Sequence, residues 1–146
     1  MSSTVNKQIF YCTTEEETKE VGRKIGKIAE PGTVVSLRGP LGTGKTVIAK
    51  GIAESLGISE AIVSPTFTLV QEYAGRLSLY HLDLYRLDGV EDFEGIGGEE
   101  LLYSEGITVI EWSEKIEEIL PPHTLRVSLH IQKDGRREVL VEGVSL

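Results

Sequence analysis

The chain is predicted to fold as a three-layer α/β sandwich with a mixed, mainly parallel central sheet and antiparallel hairpins. Three observations lead there. Strand-like runs alternate with helical patterns along the sequence. Two short runs, residues 33–38 and 107–111, are compact, mostly apolar stretches of the kind found in strands covered on both faces. The first of them runs straight into a glycine-rich turn and then a helix.

Each element has its own local signal. Residues 8–12 are β-rich, and Thr14-Glu15-Glu16-Glu17 after them is a capping-box pattern. Val21, Ile25, Ile28 and Ala29 then recur at helical spacing until Pro31-Gly32 stops the helix. Strand 33–38 follows, then the turn 39–46, then a helix from Lys45 to Leu56 with Val47, Ile48, Ile52 and Leu56 on its inner face. Residues 68–73 and 77–84 read as a hairpin around Ala74-Gly75-Arg76. The acidic, glycine-rich stretch 89–98 allows one short helix at most, and residues 99–104 begin another. Strand 107–111 is followed by a brief helix, 115–120, ended by Pro121-Pro122. A closing hairpin pairs 125–132 with 137–141 around Lys133-Asp134-Gly135-Arg136.

With 146 residues, the chain suits a single domain, 1–146. Its 15 basic and 23 acidic side chains leave a net charge of −8, so it has no basic field with which to grip a phosphodiester backbone by itself. If nucleic acid is involved, another component must hold it. No apolar run approaches the ~20 residues of a membrane span, and residues 1–7 carry no signal core. The lone Cys12 has no partner for a disulfide, so a reducing cytoplasm is the expected location.

Gly39-Pro40-Leu41-Gly42-Thr43-Gly44-Lys45-Thr46 matches G-x-x-x-x-G-K-[ST] without a mismatch, between a strand and a helix as the motif requires. Glycines let several backbone N–H groups converge on one phosphate, and the helix that follows presents its positive end to the same anion. This makes Leu41, Gly42, Thr43, Gly44, Lys45 and Thr46 the candidate nucleotide contacts. Lys45 would reach the β- and γ-phosphates and the Thr46 hydroxyl would meet Mg²⁺. The fold expectation is accordingly a P-loop NTPase-like sandwich binding a nucleoside triphosphate and Mg²⁺.

Such a site needs a carboxylate near the metal. Two acids end apolar strands: Asp83 in His81-Leu82-Asp83-Leu84-Tyr85-Arg86 and Glu111 in Val109-Ile110-Glu111-Trp112. Glu111 follows the cleaner strand and is the first choice for the metal; Asp83 acts through a metal-bound water or orients the attacking water. Ser64 and Thr66, flanking Pro65, are either a γ-phosphate-sensing segment or an ordinary loop. Trp112 is either core or an aromatic wall beside the nucleotide. Arg86 reads more simply as a surface arginine than as a stabiliser of transition-state charge. His81, His123 and His130 form no zinc-spaced set.

In these motifs the chain resembles the TsaE (YjeE) family, small bacterial ATPases required for threonylcarbamoyladenosine (t6A) synthesis at position 37 of tRNA. The resemblance spans nearly the whole chain. Beyond the generic turn it rests on Ser64-Pro65-Thr66-Phe67-Thr68-Leu69-Val70, His81-Leu82-Asp83-Leu84-Tyr85-Arg86-Leu87 and Val109-Ile110-Glu111-Trp112, in that order and spacing. It implies Mg²⁺ held through Thr46 and Glu111, with Asp83 and Trp112 important for activity. It also implies a switch at Ser64-Pro65-Thr66 and a helix start around Thr14 lying beside the nucleotide. Pro40 stands where many members carry an acidic residue, at a position that contributes mainly backbone. The implied role is a nucleotide switch on a heterodimer of TsaD, the transferase, and TsaB, with tRNA held by those partners.

Two other classes compete. A small-molecule kinase needs an acceptor pocket and usually an arginine-rich lid, but residues 89–104 are acidic and contain no arginine. A GTPase needs a guanine reader, and the chain's only asparagine is Asn6.

Overall fold

The structure is a computed structural model and describes residues 6–40, 42–63 and 69–146. Leu41, Ser64 and Thr66 lie outside the described residues. One seven-stranded sheet organises the molecule: β1 (Lys7–Cys12), β2 (Val34–Arg38), β3 (Val70–Tyr73), β4 (Leu79–Asp83), β5 (Ile107–Glu111), β6 (Leu125–Ile131) and β7 (Arg137–Glu142). Their order across the sheet is β1-β7-β6-β2-β5-β4-β3.

Strands β6, β2, β5 and β4 are mutually parallel at the centre, whereas β3 and β7 run the other way as hairpin partners of β4 and β6. β1 adds antiparallel to β7 at the edge, a pairing that no local signal announces. The expected mixed sheet with antiparallel hairpins forms, but it is only partly parallel: three of its six strand pairings are parallel and three, with the β1–β7 pairing included, are antiparallel.

Helices cover both faces of the sheet. α1 (Glu15–Ile28) and α2 (Lys45–Ser55) lie on one, where Val21, Ile25, Ile48 and Ile52 pack on Val35, Leu37, Val109 and Val127. α3 (Val90–Gly95), α4 (Gly98–Leu102) and a 3₁₀ helix (Ser113–Ile119) lie on the other, where Phe93, Leu102 and Ile116 pack on Val34, Leu82 and Ile110. Val34 and Val35 thus enter different cores, as the period-2 geometry of a strand demands. β2 and β5 are apolar on both faces for that reason.

The capping box forms as the sequence predicts. The Thr14 hydroxyl accepts from Glu17 N at 3.1 Å, and Glu17 Oε1 accepts in return from Thr14 N. The segment expected as a brief helix over 115–120 is instead the 3₁₀ turn starting at Ser113, since Ile116 has non-helical φ −127° and Pro121-Pro122 block extension. Among the described residues no helix is long and apolar enough to cross a membrane.

α1 and α2 cross with their backbones in contact, and glycines make that possible. A Cβ on Gly51 would lie 2.1 Å from Lys19 O, and one on Gly22 would lie 2.2 Å from Ile48 O. In Gly51→Ala the helix-propensity gain is about 1 kcal/mol. The overpacking cost against rigid backbone is about 3 kcal/mol. Urea unfolding of Gly51→Ala should therefore show a net loss of about 2 kcal/mol. Gly95→Ala, where nothing lies within 4 Å of the added Cβ, should leave the midpoint unchanged or raise it.

Candidate functional site

The parallel strands deliver their C-terminal ends to one edge. Leu37 of β2 pairs with Glu111 of β5, and Glu111 pairs with Asp83 of β4, so the two acids end flush beside the strand that leads into the glycine-rich turn. This is the edge at which open α/β sheets place their ligands. A cavity of about 510 Å³ opens here, lined by Gly42, Gly44, Lys45, Thr46 and Val47 from the turn and α2, by Asp83 and Tyr85, by Glu111 and Trp112, and by Glu15 and Arg137.

The turn owes its shape to glycine. Gly39, Gly42 and Gly44 have φ of 144°, 81° and 108°, values that side-chain-bearing residues rarely adopt. At Gly39 a Cβ would also come within 2.6 Å of Leu129 O on β6, so the turn passes hard against that strand. Thr43 is buried, and its hydroxyl donates to Pro40 O at 2.8 Å, tying the turn across its base. Ile48 N donates to Gly44 O, which starts α2.

Lys45 is only 5% exposed, and its Nζ has no hydrogen-bond partner among the described residues. The ammonium sits 4.1 Å from the centroid of the Trp112 ring. Burial pushes its pKa below the ordinary 10.5, against the opposing charges of Glu111, Glu114 and Asp83. Trp112 itself has φ 61° and ψ 34°, a left-handed conformation costly for a bulky residue, and it is this kink directly after β5 that turns the ring into the cavity wall. Tyr85 extends the wall, its ring centroid 5.1 Å from that of Trp112.

The acids are held by the sheet. Glu111 is 4% exposed; its Oε2 lies 2.7 Å from His81 Nε2 and 3.4 Å from the Thr46 hydroxyl, which donates to it. Asp83 Oδ1 accepts from Tyr85 N at 2.9 Å, and Asp83 N donates to Leu69 O. The Lys115 ammonium donates to the carbonyls of Tyr85 and Leu87, anchoring the segment after β4. Thr14, by contrast, spends its hydroxyl on the helix cap, and it is its neighbour Glu15 that lines the cavity. Arg86 is exposed.

Among the described residues no group of three His, Cys, Asp or Glu is placed to hold a metal. The donors that do converge, one hydroxyl and two carboxylates, are hard oxygen ligands. That set fits Mg²⁺, which takes few protein ligands and completes its shell with water and phosphate oxygen. The buried, unpartnered ammonium beside them fits an anion.

Sequence reasoning singled out Lys45, Thr46, Asp83, Glu111 and Trp112, and the structure brings them together around one cavity. It missed three others. His81 belongs to no metal-spaced set, yet period 2 from Asp83 puts it on the same face of β4. Tyr85 lay inside a noted motif without being singled out. Arg137, whose Nε donates to Thr43 O at 2.9 Å and whose Nη2 donates to Gly42 O at 3.3 Å, comes from a distant hairpin that carries no motif.

The chain is similar to known proteins over most of its length. A family model described as threonylcarbamoyl adenosine biosynthesis protein TsaE matches residues 12–139. The tRNA threonylcarbamoyladenosine biosynthesis protein TsaE of Treponema pallidum is 48% identical over 126 residues, covering 86% of this chain and 93% of that protein. Its counterpart in Bacillus subtilis is 40% identical over 140 residues, covering 94% and 87%. Among solved structures, the crystal structure of Bacillus subtilis YdiB superposes with a TM-score of 0.82 at 35% identity, covering 99% of this chain and 90% of that one.

The burial of Lys45 predicts a pH-dependent stability difference. A lysine whose folded pKa is depressed destabilises the fold most where it is charged in both states. Replacing it by methionine should therefore raise the melting temperature of the nucleotide-free protein at neutral pH. The advantage should shrink as pH climbs toward 10.5, where the folded lysine has lost its proton. Melting curves of wild type and Lys45→Met between neutral and alkaline pH measure it.

Proposed function

The chain belongs to the TsaE family and so takes part in threonylcarbamoyladenosine biosynthesis in tRNA, and from that premise we propose that it is a Mg²⁺-dependent ATPase acting as a nucleotide switch on a TsaB–TsaD heterodimer rather than as the transferase. One observation carries the ATPase reading. A buried ammonium without a hydrogen-bond partner among the described residues stands where the glycine turn passes into α2, in one cavity with a hydroxyl and two strand-end carboxylates. Such a cation is costly unless an anion completes it, and a nucleotide's β- and γ-phosphates are the anion that this turn chemistry fits.

In this reading the backbone N–H groups of residues 41–46, including Leu41, grip the phosphates, and Lys45 neutralises the oxygen bridging to the leaving group. Thr46 and Glu111 would hold Mg²⁺, which would supply further neutralisation of the phosphate oxygens. His81 fixes the rotamer of Glu111 through the 2.7 Å contact. Asp83, its carboxylate oriented by Tyr85 N, aligns the attacking water and accepts its proton as the bond from the γ-phosphorus to ADP breaks. Trp112 and the start of α1 around Thr14 border the nucleotide, and Ser64 and Thr66 sense the γ-phosphate. The protein works in the cytoplasm. At a net charge of −8 it leaves tRNA to the partner proteins.

Lys45→Ala should lower ATP affinity on the order of a hundredfold in calorimetric titration, since a charge-assisted contact to phosphate is lost. Cells carrying only that variant should lack t6A. ATP hydrolysis by the wild type should be slow alone and strongly stimulated by the TsaB–TsaD pair. Normal t6A in the Lys45→Ala cells, or tighter binding of GTP than of ATP, would contradict the proposal.

A further inference from the structure

We propose that Arg137 is a positioning residue that sets the phosphate-binding form of the turn by holding the carbonyl ends of two successive peptides. The proposal rests on the reading that this turn binds a nucleotide's phosphates.

Arg137 is the first residue of β7, opposite Ile131 on β6 and Cys12 on β1. Its planar guanidinium spans two consecutive carbonyls, Nε to Thr43 O at 2.9 Å and Nη2 to Gly42 O at 3.3 Å. No cis peptide occurs among the described residues. In a trans peptide the N–H points away from the C=O. Turning Gly42 O toward Arg137 therefore directs Thr43 N–H to the far side, and turning Thr43 O does the same for Gly44 N–H. Those two N–H groups lie in the middle of the glycine turn.

A turn with positive φ at Gly39, Gly42 and Gly44 has unusual backbone freedom, so its peptides need outside restraint to stay aligned. The same hairpin supplies more of it. Leu129 O lies against Gly39, and Leu129 Cδ2 would be 3.5 Å from a Cβ on Gly44. From the other side Thr18 Cγ2 would be equally close. Arg137 adds direction to this steric enclosure.

The choice of residue matches the task. Only a guanidinium offers two donors at a fixed spacing, whereas an ammonium is a point charge. Among the described residues Arg137 makes no ion pair with a carboxylate, although the chain is strongly acidic, so its donors go to the turn.

The test compares wild type, Arg137→Ala and Arg137→Lys. Calorimetric titrations with ADP and with a nonhydrolysable ATP analogue, both with Mg²⁺, are combined with steady-state ATP hydrolysis and melting of the nucleotide-free proteins. A device that aligns backbone donors serves both nucleotides, so Arg137→Ala should weaken ADP and the analogue by the same factor, about tenfold to a hundredfold. KM should rise with kcat within about twofold, and Arg137→Lys should recover only a minor part of the affinity. Full recovery by Arg137→Lys overturns the proposal, because charge alone would then suffice. Unchanged affinity with a fallen kcat also overturns it, since Arg137 would then act on the reacting phosphate. If Arg137→Ala does not fold, the comparison of Arg137→Lys with wild type decides by the same criterion. A wild type that binds neither nucleotide overturns the functional reading and the clamp with it; a wild type that binds no better than Arg137→Ala overturns the clamp alone.

Discussion

An ammonium group removed from water, with no hydrogen-bond acceptor among the described residues, is the constraint around which this molecule is arranged. The face of Trp112 against Lys45 contributes about 1–2 kcal/mol. Desolvation of a buried ion costs several kcal/mol even after the protein relaxes. The aromatic contact therefore cannot hold the lysine charged by itself. The field of Glu111, Glu114 and Asp83 makes up much of the rest, and these three are the groups that oppose the fall in its pKa. The balance leaves a cation with partners of opposite charge nearby and none in contact, which is the condition under which an incoming anion is attracted most.

Keeping those charges near without letting them pair is the work of the sheet. β5 lies between β2 and β4, so Glu111 and Asp83 emerge beside the turn instead of across it. His81 and Thr46 take up Glu111 Oε2, restricting the carboxylate's swing toward Lys45. On the opposite side, the backbone-to-backbone crossing of α1 and α2 sets how deeply the turn's helix sits on the sheet.

Much of this was legible before any coordinates, and the legible parts share a property. The glycine turn, the cap at Thr14 and the strand 107–111 are each specified by residues adjacent in sequence, so a local pattern contains all the information. What escaped is set by distant contacts. β1 pairs with β7 across nearly the whole chain, and its exposed Ile9 and Tyr11 do not look like an edge strand's outer face until the sheet order is known. Gly22 and Gly51 carry no local signal of their role, although their missing side chains are what the helix crossing requires. Arg137 is one arginine in a closing hairpin, and nothing nearby in sequence distinguishes it from Arg136, whose guanidinium pairs with Asp134 and stacks near Tyr11. The left-handed Trp112 was equally hidden, because no composition rule places tryptophan there.

The register that aligns Asp83, Glu111 and Leu37 has a mechanical corollary. Acids mounted on the ends of interior strands share the rigidity of the sheet, whose spacing is held by hydrogen bonds on both sides. They form a stationary frame of reference. On the proposed nucleotide-switch reading, a difference between nucleotide states would be registered by groups mounted on connecting segments, against carboxylates that stay in place. The molecule would then carry its own fixed gauge, and a partner protein sensing its state would meet those connecting segments.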